Sequence, residues 1–385
     1  MTRFEFATAT RVVFGAGAAN DLGSLVRPFG QRALVVSGRS PERPAHAIAS
    51  LEAAGLATSL VVVAAEPDTT AIMQGAADAR QAGVDCVVGI GGGSVIDAAK
   101  AIAAMVTNEG DVIDYLEVIG RGRPLEKPTL PCVAVPTTAG TGSEVTRNAV
   151  LASRAHGVKV SLRGPSLLPR LAVVDPSLTM DLPPALTATT GLDALTQLIE
   201  AYVSCRANPM TDVLCQEGIG LAATAVRRAF HDGTDAAARA DMSLASLWSG
   251  MALMNAGLGA VHGFAGPIGG VFDAPHGAIC ASLLPHVVAA NVRAIETRAP
   301  NHPARDRFTH VARLVTGQSG ASAADGVLWL ADLVQELRIP RLRHYGVGPE
   351  HVASLVEKAA RSSSMKGNPL ELTTAELTEL LAAAV

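Results

Sequence analysis

From Met242 to Phe272 the chain contains no Asp, Glu, Lys or Arg. An uncharged run of this length must either cross a bilayer or lie in a core large enough to enclose it. Seven glycines, Asn255, His262 and Pro267 fall inside the run, and lipid would have to accommodate all of them. Closely packed helices explain the glycines better, because small side chains let backbones approach. The run therefore predicts buried helices in a soluble protein, with no membrane as partner. Its last part, extended to Gly277, places His262 and His276 among small uncharged residues. Burying an unpaired polar group costs roughly 1–3 kcal/mol, so each imidazole needs a partner. A metal ion, a substrate oxygen or a backbone carbonyl could serve.

The rest of the chain supplies such a core. Of 385 residues, 49% are hydrophobic and 17% charged, which excludes disorder and leads to an expectation of two domains. A net charge of −4 offers no basic surface for a phosphate polymer, so no nucleic acid is expected as partner. Five cysteines, Cys86, Cys132, Cys205, Cys215 and Cys280, are scattered and never in a CxxC spacing. Neither a disulfide framework nor a thiolate zinc site is expected from them. With an N-terminus that lacks the apolar core of a signal peptide, they lead to the expectation of a reduced, cytoplasmic setting.

In the first half, short apolar runs alternate with helical patterns. Strands are predicted over 32–37, 58–63, 85–90 and 130–135, and helices over 44–54, 69–82 and 95–106. Val-rich strands without polar alternation predict a parallel sheet covered on both faces, hence a doubly wound, Rossmann-like α/β domain. Ligands bind such sheets at the carboxyl ends of the strands. At one of these ends lie Gly91, Gly92, Gly93 and Ser94, just before a helix. Glycines let a phosphate approach the backbone, and a helix N-terminus presents N–H groups and partial positive charge. The pattern is neither GxGxxG nor a P-loop, so it reads either as a pyrophosphate site or as a structural turn. At another end, Pro136 to Thr146 holds Thr137, Thr138, Thr141 and Ser143. Their hydroxyls and backbone N–H groups suit a cofactor, or simply a polar connection.

After Val174-Asp175-Pro176 the strand signals stop and helical patterns run to the C-terminus. The predicted boundary separates an α/β domain, 1–180, from an all-helical domain, 181–385. A helix over 190–204 buries Leu192, Leu195, Leu198, Ile199 and Tyr202 at helical spacing. Asp193 and Gln197, four apart, share one face. Asp193 reads as a favourable first-turn charge or as a site residue.

Gly91–Ser94, Pro136–Thr146, Gly191–Thr196 and Val261–Gly277 occur in one order, with Arg11–Gly15 before them and Val174–Pro176 at the boundary. In this the chain resembles the iron-containing (group III) alcohol dehydrogenases, a family that includes the maleylacetate reductases. The resemblance covers nearly the whole sequence. It implies a dehydroquinate synthase-like fold, an active site in the cleft between the two domains, a homodimer, and NAD(P)-dependent, metal-assisted hydride transfer between an alcohol and an aldehyde or ketone. It implies one divalent metal, Fe or alternatively Zn or Mn, held by an Asp, a His one turn later and two further histidines. Asp193, His262 and His276 match three of these positions and are the expected catalytic residues. Gln197 stands where the remaining His is expected. Gly266 departs as well, since many members carry a His there.

An amide oxygen is a weaker, harder donor than imidazole, so a metal held by Asp193, Gln197, His262 and His276 is expected to bind weakly. Resemblance also places Gly92, Gly93, Ser94, Thr137, Thr138, Ser143 and Lys159 against the cofactor. After Ser37, where many NAD-preferring relatives carry an Asp, this chain has Gly38 and then Arg39. No carboxylate and a nearby guanidinium favour a 2′-phosphate, hence NADP over NAD. With few aromatic residues (3%), small aliphatic substrates are favoured. Maleylacetate reductase is the nearest alternative, through Arg147 and Arg163. A non-redox lyase on the same scaffold and a catalytically dead binding protein are the alternatives of other classes.

Overall fold

The computed structural model describes residues 3–40, 42–153, 156 and 158–385. They form two compact units. One comprises Thr8–Thr138 and Gly142–Met180; the other comprises Ala139–Thr141 and Asp181–Val385 together with the first residues up to Ala7.

The α/β unit contains strands β1 (Val12–Phe14), β2 (Arg32–Ser37), β3 (Ala57–Val62), β4 (Cys86–Gly91), β5 (Cys132–Pro136) and, after a hairpin, β8 (Leu171–Val174). They form one sheet in the order β3-β2-β4-β5-β8-β1, with every pairing parallel. Central strands bury side chains on both faces, which is why they read as apolar runs without polar alternation: all six residues of β4 are buried. The edge strand β3 leaves Leu60 and Val62 exposed. The hairpin β6 (Asn148–Ser153) and β7 (Val158–Arg163) is antiparallel and separate from the sheet.

Helices α1 (Leu22–Val26), α2 (Glu42–Ala53), α3 (Thr69–Ala82), α4 (Gly93–Thr107) and α5 (Val112–Tyr115) belong to this unit. The sequence placed four of the sheet strands to within two residues. It missed β1 and β8, three and four residues long, too short to show a period, and it missed the hairpin.

The second unit is all-helical. Its first members are α6 (Pro184–Val203), α7 (Pro209–His231), α8 (Ala236–Ala256), α9 (Ala260–Val271) and α10 (His276–Arg298). They are followed by α11 (Ala304–Thr316), α12 (Ala323–Glu336), α13 (Val352–Ala360) and α14 (Thr374–Ala384). The uncharged run forms most of α8 and all of α9, two helices bent by 99° at the break between them. Helix α10 is long and apolar enough to span a bilayer, yet 78% of its most apolar window is buried inside the fold. α6 packs against α7, α8 and α10 and is buried almost all round from Gly191 to Val203. A helix so enclosed carries its polar residues into the core, so each of them must be accounted for.

Candidate active site

In the α/β unit the chain runs from β2 outward to β3 and then returns to β4 on the other side of β2. Strand order reverses there, and a ligand crevice opens beyond the carboxyl ends at such a point. Register aligns those ends: Ser37 pairs with Ile90, and Gly91 with Pro136. Gly38 and Arg39 follow β2, Gly92, Gly93 and Ser94 follow β4, and Thr137 and Thr138 follow β5. Seven of the predicted cofactor residues thus line the ends of three adjacent strands. Gly92 is the N-cap of α4, and no side chain caps it. The Val95 N–H bonds the Gly92 carbonyl at 3.0 Å, but the N–H groups ahead of it have no acceptor within the helix, so this end suits an anion such as pyrophosphate. At Gly38 an added Cβ would meet only Val95 Cγ2, at 3.8 Å, so the fold leaves room there for a side chain.

Ser143 and Lys159 lie elsewhere. Lys159, on β7, is ion-paired with Glu66 at 2.7 Å. The Ser143 hydroxyl donates to Asp97 of α4, a structural tie inside the protein. The tie belongs to a network that the sequence reading missed. Lys100, the largest fully buried side chain, donates from Nζ to the Ser143 and Asn148 carbonyls at 2.8 and 2.6 Å. It also donates to Thr146 Oγ1 at 3.1 Å and pairs with Asp97 at 3.1 Å. Asp97 accepts in addition from the Val150 N–H at 2.9 Å. One ammonium thereby fixes the end of the Thr137–Thr146 loop. Two charges three apart in an otherwise apolar helix were the available signal.

In the helical unit, Asp193, His262 and His276 come together from α6, α9 and α10. His262 Nε2 is 3.3 Å and His276 Nε2 3.8 Å from Asp193 Oδ1. Gly277 lets α10 begin this close to α6, since a Cβ there would meet the Thr189 carbonyl oxygen at 2.5 Å. The cluster has a fourth member, Cys280, whose Sγ lies 3.7 Å from His262 Nε2 and 3.6 Å from His276 Nε2. Each of the four residues offers one donor atom, all within 4.8 Å of one another. Gln197 does not join them. Its Nε2 donates to Asp193 Oδ2 at 3.2 Å and its Oε1 accepts from the Ser249 hydroxyl at 2.8 Å. In this arrangement the Gln197 amide presents N–H, not a lone pair, to Asp193. The expectation of no thiolate site looked for paired cysteines, whereas Cys280 shares a helix face with His276, one turn on.

Glu200, also unread in the sequence, orients the site. Its Oε2 lies 2.7 Å from His262 Nδ1, and its Oε1 accepts from the Val261 N–H at 2.7 Å. A carboxylate only accepts, so Nδ1 carries the proton and Nε2 keeps a lone pair unless it is protonated as well. That lone pair faces Asp193 Oδ1, an atom 3.3 Å away that is buried and accepts no well-directed hydrogen bond. Two lone pairs so placed call for a proton or a metal ion between them. Electrostatics agree. Burial pushes the Asp193 carboxyl up, but His276 and His262 outweigh it and hold the carboxyl below its usual value. Burial opposes charge on His262, yet the Cys280 sulfur, Asp193 and Glu200 together raise it well above the ordinary imidazole value. The same sulfur is the main cause of the rise at His276, with Asp193 adding to it. Without a metal the cage draws protons; with one, the donor set of carboxylate, imidazoles and sulfur suits a divalent transition ion. At Gly266, where an imidazole might have stood, an added Cβ would meet nothing within 4 Å.

Comparison with known proteins gives the class to which these two sites belong. Residues 9–176 match the family model described as iron-containing alcohol dehydrogenase, and residues 187–385 match that of its C-terminal part. The chain is 38% identical over 320 residues to a probable alcohol dehydrogenase, EutG, of Salmonella typhimurium, covering 83% of this chain and 78% of that one. It is 34% identical over 393 residues to the NAD-dependent methanol dehydrogenase of Bacillus methanolicus, covering 99% of each. A crystal structure of 1,3-propanediol oxidoreductase superposes with a TM-score of 0.92 at 34% identity, covering 100% of both chains. The chain belongs to the iron-containing alcohol dehydrogenase family. It is an NAD(P)-dependent oxidoreductase acting on CH–OH groups, in a family that uses iron or another divalent metal.

Proposed function

We propose that Asp193, His262 and His276 hold the divalent metal of this alcohol dehydrogenase, and that residues 1–180 hold the nucleotide while 181–385 hold metal and substrate. The observation that carries the proposal is the buried, unsatisfied Asp193 Oδ1 facing His262 Nε2. When bound, such an ion polarises a carbonyl or stabilises an alkoxide, while the nicotinamide carries the hydride. The protein's own part is to hold the site in place. Asp193 supplies negative charge from the buried part of α6, and Glu200 fixes the tautomer and direction of His262. Gly266 leaves space for the substrate's carbon chain, which together with the scarcity of aromatic residues favours small aliphatic alcohols and aldehydes. The acidic-substrate alternative gains nothing from Arg163, which is ion-paired with Glu117 at 3.1 Å. A cytoplasmic homodimer is part of the same proposal, its assembly to be read by sedimentation. The test is an NAD(P)H oxidation screen over small aldehydes, ketones and maleylacetate. Chelation should abolish turnover of the best substrate and added divalent metal should restore it; turnover indifferent to both would refute the metal's role.

Cofactor choice belongs to the same proposal. Gly38 places no carboxylate at the end of β2, and Arg39 follows it in an exposed position. NADPH should therefore give the higher kcat/KM. Gly38→Asp, for which the fold has room, should shift the NADPH/NADH ratio toward NADH by at least about tenfold, since like charges brought together cost several kcal/mol. A wild-type preference of a hundredfold for NADH would overturn this reading.

A further inference from the structure

We propose that Cys280 is the fourth protein ligand of the metal, in the place expected of Gln197, and that its thiolate turns the site from iron toward zinc. The inference rests on the metal reading above and goes beyond it in naming this donor and its consequence.

Gln197 is committed at both ends of its amide. Turning the amide over would set Oε1 against Asp193 Oδ2, acceptor against acceptor, and would lose the bond that steadies the carboxylate. The side chain acts through Asp193, not on a metal. Cys280 meets the opposite description. It is fully buried, it stands one turn after His276 on α10, and its sulfur lies nearly equidistant from two imidazole nitrogens. A sulfur held between two imidazole nitrogens is placed as a ligand of a metal they share would be, and one ion would satisfy both contacts at once.

The distances agree with that. With zinc bonds of about 2.0–2.1 Å to nitrogen or oxygen and about 2.3 Å to sulfur, a tetrahedron has N···S edges of about 3.5–3.6 Å and N···O edges of about 3.3 Å. The corresponding separations are 3.7 and 3.6 Å for Cys280 to the two imidazoles and 3.3 Å for His262 to Asp193. His276 to Asp193 is longer, at 3.8 Å. His276 is the open side chain, at 42% exposure against 7% and 2% for His262 and Asp193.

Coordination would release the Cys280 proton to solvent and leave a thiolate. Asp193 and Cys280 together then neutralise a divalent ion, where Asp193 with a neutral amide would leave a net positive charge. Thiolate is a soft donor and favours zinc over iron, and an anionic sulfur in place of an amide oxygen reverses the expectation of weak binding.

The experiment replaces the metal of the full-length protein with Co(II) under anaerobic conditions and records uptake by elemental analysis and the absorption spectrum. Wild type should bind cobalt and show a near-ultraviolet sulfur-to-cobalt charge-transfer band. Gln197→Ala should keep the band, and Cys280→Ser should lose it. In competition between Fe(II) and Zn(II), the zinc preference of wild type should fall in Cys280→Ser. Cobalt bound by wild type without the band, or a band that survives Cys280→Ser, would overturn the proposal while leaving a metal site in place. No cobalt uptake by wild type would overturn the metal reading and Cys280 with it. The wild-type spectrum decides even if a variant fails to fold.

Discussion

Asp193→Ala will lower kcat/KM for the best alcohol or aldehyde by at least about a hundredfold, equivalent to about 2.7 kcal/mol of transition-state stabilisation. Binding of NAD(P)H, followed by fluorescence titration, will stay close to wild type, because Asp193 lies in the helical unit and the nucleotide edge is built from the ends of β2, β4 and β5. The size of the effect follows from the accounting at this carboxylate. Its Oδ2 is engaged by Gln197, while its Oδ1 is buried and without a directed hydrogen bond, beside two imidazoles. Removing it takes away an anionic donor and leaves the Gln197 amide without its acceptor. Asp193→Asn keeps the volume and a neutral oxygen, and should lose activity to the same extent. Retention of more than about a tenth of wild-type activity in both variants would sink the metal reading, since even the outer partners of metal ligands are typically worth 10–100-fold.

The largest effect on stability should come from a residue that touches no reactant. Lys100→Met will destabilise the protein by about 3–5 kcal/mol, the usual result of removing one partner of a buried ion pair. The Lys100 ammonium is 1% exposed and joins Asp97 to the Ser143 and Asn148 carbonyls. Methionine fills the space but donates nothing, so a buried carboxylate loses its counter-charge and two carbonyls lose their donor. The first urea-unfolding transition should move to lower denaturant, and NAD(P)H should bind more weakly because the Thr137–Thr146 loop is no longer fixed at its end. A loss below about 1 kcal/mol would show that water replaces the ammonium. Removing both charges, with Lys100→Met and Asp97→Leu together, should recover part of the loss, because a matched apolar pair leaves no uncompensated charge.

How far the sequence could be read depended on whether a feature was local. β2 was placed at Arg32–Ser37 from its apolar composition alone, and the Gly turn before α4 was legible because a strand end followed by a helix start needs only neighbouring residues. Short strands such as β1 and β8 exist because the sheet has a place for them, and three or four residues carry no period. Within the candidate site, Asp193, His262 and His276 were found because each sits in a motif. Glu200 was within reach, seven residues after Asp193 on the same buried face, but a single acid in an apolar helix says nothing of the imidazole it will meet.

By itself the sequence determined that strands alternate with helices before about residue 180 and that buried helices follow, because hydrophobic period and glycine placement are properties of contiguous residues. It also placed two imidazoles among small uncharged residues, and left Asp193 as either a first-turn charge or a site residue. Only the tertiary structure decided which atoms face one another. Gln197 meets Asp193 with its N–H because Ser249, on another helix, holds its oxygen. Cys280 is turned inward because Gly277 brings the start of α10 against α6. Hydrogen-bond direction and close backbone approach are set by contacts between distant segments, so no spacing along the chain encodes them.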